Sequence, residues 1–370
     1  MKACSDDVTL FLCGDVMLGR GIDQILPHPC DPRIYESYCK SALDYVELAE
    51  RINGAIPRPA DYAYPWGQAL EALDESEPDL RIINLETSIT ADGQPWPKGI
   101  NYRMHPGNVG CLTAAEIDCC VLANNHVLDW GHDGLAETLR ALAEAGIAYA
   151  GAGLNSAKAS SPAVLPVGEA GRALVFGRAL ASSGVPDEWA AGEDAAGVYL
   201  LPDLGSSTAA QLIGHMQAIR RDGDIAIASI HWGGNWGYYV TPAERDFAQH
   251  LIDGGFDLVH GHSSHHPKGI EIYRDKLILY GCGDFINDYE GISGHEQFRP
   301  DLGVMYLPQL ARASGRLVGL RMAPFRMRNF HLSGATEEEL NWLTNLLDSK
   351  SAGWGTRVLR QGPMMTAHTA

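Results

Sequence analysis

A layered α/β protein with antiparallel strands added toward its carboxyl end is what this 370-residue sequence predicts, on three observations. Apolar runs of strand length alternate with helix-length segments through most of the chain. With 45% hydrophobic residues the chain holds enough apolar material for a full core, in one large domain or two fused ones. The runs VTLFLCGD, RIINLET, CCVLANNH, IAIASIHWGGNW, FDLVHGHSSHH and LILYGCGDF each release Asp, Glu, Asn or His where the apolar stretch ends. Open α/β sheets bind ligands at the carboxyl ends of their strands, so these groups are expected on one rim, as oxygen and nitrogen donors for a divalent ion.

The first strand is expected at 8–13, followed by a long polar insertion from Ile22 to Asp61 that carries PHPCDPR and PRPADY. A helix near 67–75, strand 80–84, helix 107–116, strand 118–123, helix 133–145 and strand 147–150 continue the alternation. The second half reads as strands 162–167 and 172–177, helix 207–220, strand 224–230, helix 242–253 and strand 256–260. A hairpin-like pair, 269–273 and 276–281, and strands near 302–308 and 316–326 supply the antiparallel additions. The last helix, 336–348, is expected to start at a capping pattern from Ser333 to Glu337 and to run into a polar tail.

The charge balance removes one class of function. With 28 Lys and Arg against 46 Asp and Glu, the net charge of -18 gives no electrostatic footprint for nucleic acid. No 18-residue apolar run occurs and the first strand begins by Val8, so neither a membrane span nor a signal peptide is expected, and the cytoplasm is the expected location. Cysteines 4, 13, 30, 39, 111, 119, 120 and 282 form no CxxC pair and several sit inside apolar strands, which makes them reduced core residues rather than a zinc site or a disulfide framework.

The segments GDVMLGRGID, INLETSIT, INYRMHP, LANNHVLDWG, IHWGGNWGY, VHGHSSHHPKGIE and LILYGCGDFINDYEG together resemble the bacterial capsule-synthesis, or poly-γ-glutamate-synthesis, branch of the calcineurin-like metallophosphoesterase superfamily. The resemblance covers nearly the whole chain. It implies a four-layer α/β fold, a central β-sandwich flanked by helices, with residues 1–330 as the metal-dependent catalytic domain and 331–370 as a terminal helix and tail. By position it puts Asp15 at the first metal-binding Asp, Glu86 near the second acidic ligand, and Asn125 with His126 at the Asn–His pair. His231 matches the isolated metal histidine, and His262 and His265 the closing histidine motif.

Two departures shape the chemistry expected. Superfamily phosphoesterases carry His two residues after the first Asp, where this chain has Met17, and Glu86 stands where a bridging Asp is expected. Fewer nitrogen donors favour one hard ion, Ca2+, Mn2+ or Mg2+, over a di-zinc centre, with no organic cofactor. Histidines left over from ligation are then free for acid–base work: His126 with Asp129, and His295 with Asp284 or Asp288. Arg20, Arg103 and Lys268 are the candidate carboxylate holders, with Lys98 beside them, and Trp232 and Trp236 the candidate aromatic contacts. Within the branch, overall resemblance points to the epimerases that invert the carboxyl-terminal tryptophan of a siamycin-type lasso-peptide precursor. The expected partner is therefore a precursor peptide, with no nucleic acid and no membrane. A metallohydrolase of phosphoester or amide bonds and a capsule-assembly protein are the alternatives.

Overall fold

The computed structural model of the chain describes residues 7–168 and 171–370. Its larger sheet runs, in spatial order, through Thr356–Gln361, Met364–Thr369, Arg316–Arg328, Leu302–Ala311, Asp7–Val16, Leu80–Leu85, Cys119–Val121 and Ala148–Ala150. The smaller sheet runs through Leu200–Leu201, Gly171–Leu180, Ile225–His231, Leu258–His262, Lys276–Leu279 and Ile270–Tyr273. In the middle of each sheet the strands are parallel, so their carboxyl ends share one edge.

Alternation along the strands builds the layers. Val8, Leu10 and Leu12 of the first strand, with Ile82, Cys119 and Val121, pack against Val175, Ile225, Ile227 and Leu258 of the smaller sheet, and this is the sandwich interior. The opposite faces are also apolar. Phe11, Cys13, Ile83 and Cys120 meet residues of the helices Leu43–Asn53, Gln68–Ser76 and Gly131–Glu144, while Ala226, Ala228 and Ile230 meet the helices Ser206–Ile219 and Pro242–Asp253. Strands buried on both faces explain the continuous apolar runs in the sequence. The result is the four-layer calcineurin-like arrangement, helices outside and a β-sandwich between.

Three local expectations change. The polar insertion holds the helix Leu43–Asn53, which buries Tyr45, Val46 and Ala49 and turns its charged residues outward; the prolines on either side mask this short amphipathic pattern. Thr336, not Ser333, caps the last helix, Glu337–Ser351, in a reciprocal capping box with Glu339. The polar tail is a β-hairpin, Thr356–Gln361 with Met364–Thr369, whose inward Val358, Met365 and Ala367 are buried, and it pairs with Arg316–Arg328. The seven cysteines among the described residues are free and buried; Cys4 lies outside them. No helix is long and apolar enough to cross a membrane among the described residues.

Candidate metal centre

Parallel register brings the polar strand ends together. Asp15, at the end of Asp7–Val16, stands opposite Asn84 on one side and Asp284 on the other, because the short strand Asp284–Ile286 replaces Leu302–Ala311 as its neighbour there. Asn84 donates its amide to Asp15 Oδ1 at 2.7 Å. Asp15 Oδ2 is buried and has no hydrogen-bond partner. In the smaller sheet His231 lies in register with His262, with their Nδ1 atoms 2.8 Å apart.

Two donor clusters share Asp15. The first is Asp15, His231 and His262; the second is Asp15, His265 and Asp284; within each, the donor atoms lie within 4.8 Å of one another, and all five residues are buried. Burial first, then the Asp284 charge, raises the Asp15 carboxyl to about 7. Burial also raises Glu86 well above its ordinary value, with the Asp15 charge adding to it. Buried carboxylates crowded in this way, one with an orphaned oxygen, beside neutral imidazoles, make a set that a divalent cation fits and that apolar surroundings alone do not relieve. The residues present therefore suit a metal, with hard and borderline donors mixed.

Asn125 and Glu86 border these clusters without joining either. Asn125 Oδ1 faces His231 Nε2 at 3.1 Å, and Glu86 Oε1 lies 3.7 Å from His126 Nε2. His126 is itself oriented: its Nδ1 is 2.6 Å from Asp129 Oδ2, and Tyr102 packs edge-on against its ring. Lys98 Nζ binds Asp129 Oδ1 at 2.7 Å and also reaches the Asn125 carbonyl, so one cation anchors the whole Asn125–Asp129 turn. Burial pushes His126 down to about 4, with Lys98 adding to the effect and Asp129 opposing it. His265 goes the other way: burial lowers it, but the Asp284 charge and hydrogen bond more than offset that and leave it raised.

The pairing expected between His295 and Asp284 does not form. Asp284 gives Oδ1 to His265 Nδ1 at 2.9 Å and Oδ2 to Asn287, while His295 lies flat on Trp236, ring centroids 3.9 Å apart. The strand holding Asp284 points it at the sheet rim, whereas His295 belongs to the loop beyond. Asp288, the other partner considered, is bound to Arg20. Arg20 is gripped by Asp288 and Glu36 and lies over the ring of Tyr45 and near that of Tyr102, and it also lines a cavity beside His265. Arg103 lies over Trp130 and donates to the Asp31 carbonyl. Trp232 is a core residue, stacked on Tyr280 and donating to its carbonyl. Lys268 is buried near Glu244 and lines a separate cavity with it and Trp236. Trp236 does face the rim: with Tyr38, Ile100, Tyr102, Tyr289 and His295 it lines a cavity of about 160 Å³ that His265 also borders. The loop carrying Trp236 is pinned at both ends, by His231 in its strand and by the capping box of Thr241 with Glu244, a device worth about 1 kcal/mol.

Asn84, Ser229, His260 and Tyr289 are the residues at this centre that sequence reasoning passed over. Period-two spacing was the available signal: Asn84 precedes Glu86 by two, Ser229 precedes His231 by two, and His260 precedes His262 by two, so each pair shares a face. Met17, at the position of the superfamily histidine, is buried with its sulfur 3.5 Å from the Tyr289 hydroxyl.

Residues 9–289 match the family described as bacterial capsule synthesis protein PGA_cap. The chain is 51% identical, over 97% of its length and 95% of the relative, to a probable polyglutamine synthesis accessory protein of Mycobacterium tuberculosis. It is 22% identical to the capsule biosynthesis protein CapA of Bacillus anthracis, over 77% of this chain and 61% of that one. The PGA biosynthesis protein CapA of Bacillus subtilis is 23% identical over 78% of this chain and 66% of its own.

Proposed function

Since the chain belongs to the bacterial capsule synthesis family PGA_cap, we propose that it is a metal-dependent enzyme of that family that inverts the Cα of the carboxyl-terminal residue of a peptide, tryptophan in a lasso-peptide precursor. The observation that carries the reading is the meeting of two histidine–carboxylate pairs, His126–Asp129 and His265–Asp284, at one rim. Their environments push the two imidazoles apart, His126 down to about 4 and His265 upward, which suits His126 to accepting a proton and His265 to donating one.

Inversion needs the Cα–H bond to break with its electron pair moving toward the carboxylate, and a proton to return to the opposite face. One imidazole takes the first proton and the other supplies the second, and the roles exchange for the opposite stereoisomer. A divalent ion held by Asp15, His231 and His262 would supply the positive charge that stabilises the carboxylate as it gains electron density. The cavity lined by Trp236, Tyr102, Tyr289 and His295 offers flat faces for an indole. In this reading His295 is a wall of the pocket, and His265 takes the second acid–base role.

A second reading has one specific observation behind it. The 51% identity to a probable polyglutamine synthesis accessory protein, over almost the whole of both chains, favours a role on a glutamine polymer, as a hydrolase or an assembly component. One experiment separates the two. Peptides ending in L-Trp and a polyglutamine polymer are each incubated with the Mn2+-loaded protein in D2O, then analysed by mass spectrometry and chiral chromatography. Deuterium at the terminal Cα with appearance of the D-epimer is the expected result. Cleavage of the polymer with no exchange into the peptide would overturn the epimerase reading in favour of the second.

A further inference from the structure

Behind the His231–His262 pair lies a buried chain of polar groups that no mechanism above uses. His260 Nε2 is 2.7 Å from the Cys13 carbonyl, His260 Nδ1 is 2.9 Å from Ser229 Oγ, and Ser229 Oγ is 3.0 Å from His262 Nε2. All three side chains are fully buried, and Ser229 and His260 are in register on neighbouring parallel strands.

The direction of this chain is fixed at one end. A carbonyl only accepts, so His260 carries its hydrogen on Nε2 and presents a bare Nδ1. The Ser229 hydroxyl then donates to His260, and its oxygen accepts from His262 Nε2–H. His262 is left with a bare Nδ1, which is the atom that faces His231 in the donor cluster. On the other side, Asn125 Oδ1 takes the His231 Nε2 hydrogen, so its Nδ1 is bare as well. Two lone pairs 2.8 Å apart repel unless a cation draws on them.

We propose that Ser229 and His260 are positioning residues that transmit the Cys13 carbonyl to His262 and set the imidazole tautomer that binds the metal. The proposal does not depend on which reaction the enzyme catalyses. It states that a backbone carbonyl in the first strand of one sheet prepares a ligand in the other sheet.

The test reads metal affinity and tautomer, not turnover. In chelated protein labelled with 15N-histidine, His262 should show the Nε2–H tautomer in two-bond 15N–1H spectra. Ser229→Ala should lose that single tautomer and bind Mn2+ alone about 10- to 100-fold more weakly by calorimetry, as is typical when a ligand's orienting partner is removed. Ser229→Thr, which keeps the hydroxyl, should restore most of the affinity, which a packing defect would not. The spectrum of the wild-type protein decides the matter even if a variant fails to fold: an Nδ1–H tautomer at His262 would overturn the proposal. So would a Ser229→Ala protein that keeps the tautomer and binds Mn2+ within threefold of wild type.

Discussion

The two donor clusters share Asp15 but are built differently. The His231–His262 side is nitrogen-rich, stands on the ends of two paired parallel strands, and is backed by Ser229 and His260 in the sandwich interior. The His265–Asp284 side is half oxygen, its histidine lies just beyond a strand, and its two members already satisfy each other with a 2.9 Å hydrogen bond. An imidazole whose lone pair has no donor to meet is prepared for a cation, while one bonded to a carboxylate is prepared to move a proton. The superfamily histidine that would add a nitrogen to the second side is absent, and Met17 occupies its place. On the proposed reading, this difference gives metal binding to the first cluster and acid–base chemistry to the second.

The most severe test removes what the clusters share. Asp15→Ala should abolish Mn2+ binding detectable by calorimetry and all exchange activity, with the circular dichroism spectrum intact because the sandwich core does not include this residue. A variant that still binds one equivalent would dissolve the idea of a common anchor.

Next in size is the contrast between the clusters. His231→Ala should lower Mn2+ affinity on the order of a hundredfold, whereas Asp284→Asn should leave it within about tenfold while stopping exchange at the substrate Cα. If Asp284→Asn removes a second bound equivalent instead, the second cluster is a metal position and a two-ion hydrolase becomes the better reading.

The pH dependence of stability sharpens the same point. Asp15 and Glu86 have raised carboxyl pKa values, so they favour the folded state below the ordinary carboxylate range, and this contribution is lost as pH rises, for Asp15 through about 7. Metal restores it by paying for the negative charge. The difference in Tm between Mn2+-loaded and chelated protein should therefore grow from pH 5 to pH 8. A difference that is flat or falls over that range would mean that these carboxyls do not face the ion. His126, depressed to about 4, acts in the opposite sense in both forms: its contribution is present above pH 6.5 and lost as pH falls through about 4.

The smallest expected effect is a gain. Met17→His restores the missing nitrogen beside Asp15 and should let a second transition-metal ion bind weakly, seen as a stoichiometry above one by calorimetry. If it binds only one, position 17 does not reach the second cluster.

The sequence by itself determined most of the strands and the polar rim at their ends. Apolar runs of four to eight residues must be buried, parallel strands must share an edge, and polar residues released at six strand ends must meet there; the resemblance, not the pattern, singles out Asp15, His231, His262 and His265 among them, and the fold brings those four together. What only the tertiary structure decided was who pairs with whom. Asp284 binds His265 rather than His295, Arg20 is held by Glu36 and Asp288 at the edge of the pocket, and Trp232 packs inward while Trp236, four residues on, faces the pocket. Each of those outcomes depends on strand register or on a loop's course, and the two partners of Arg20 lie 16 and 268 positions along the chain from it. The short-range pattern of a sequence carries burial and period, but a buried charge selects its partner only among the groups that the fold delivers within hydrogen-bonding distance.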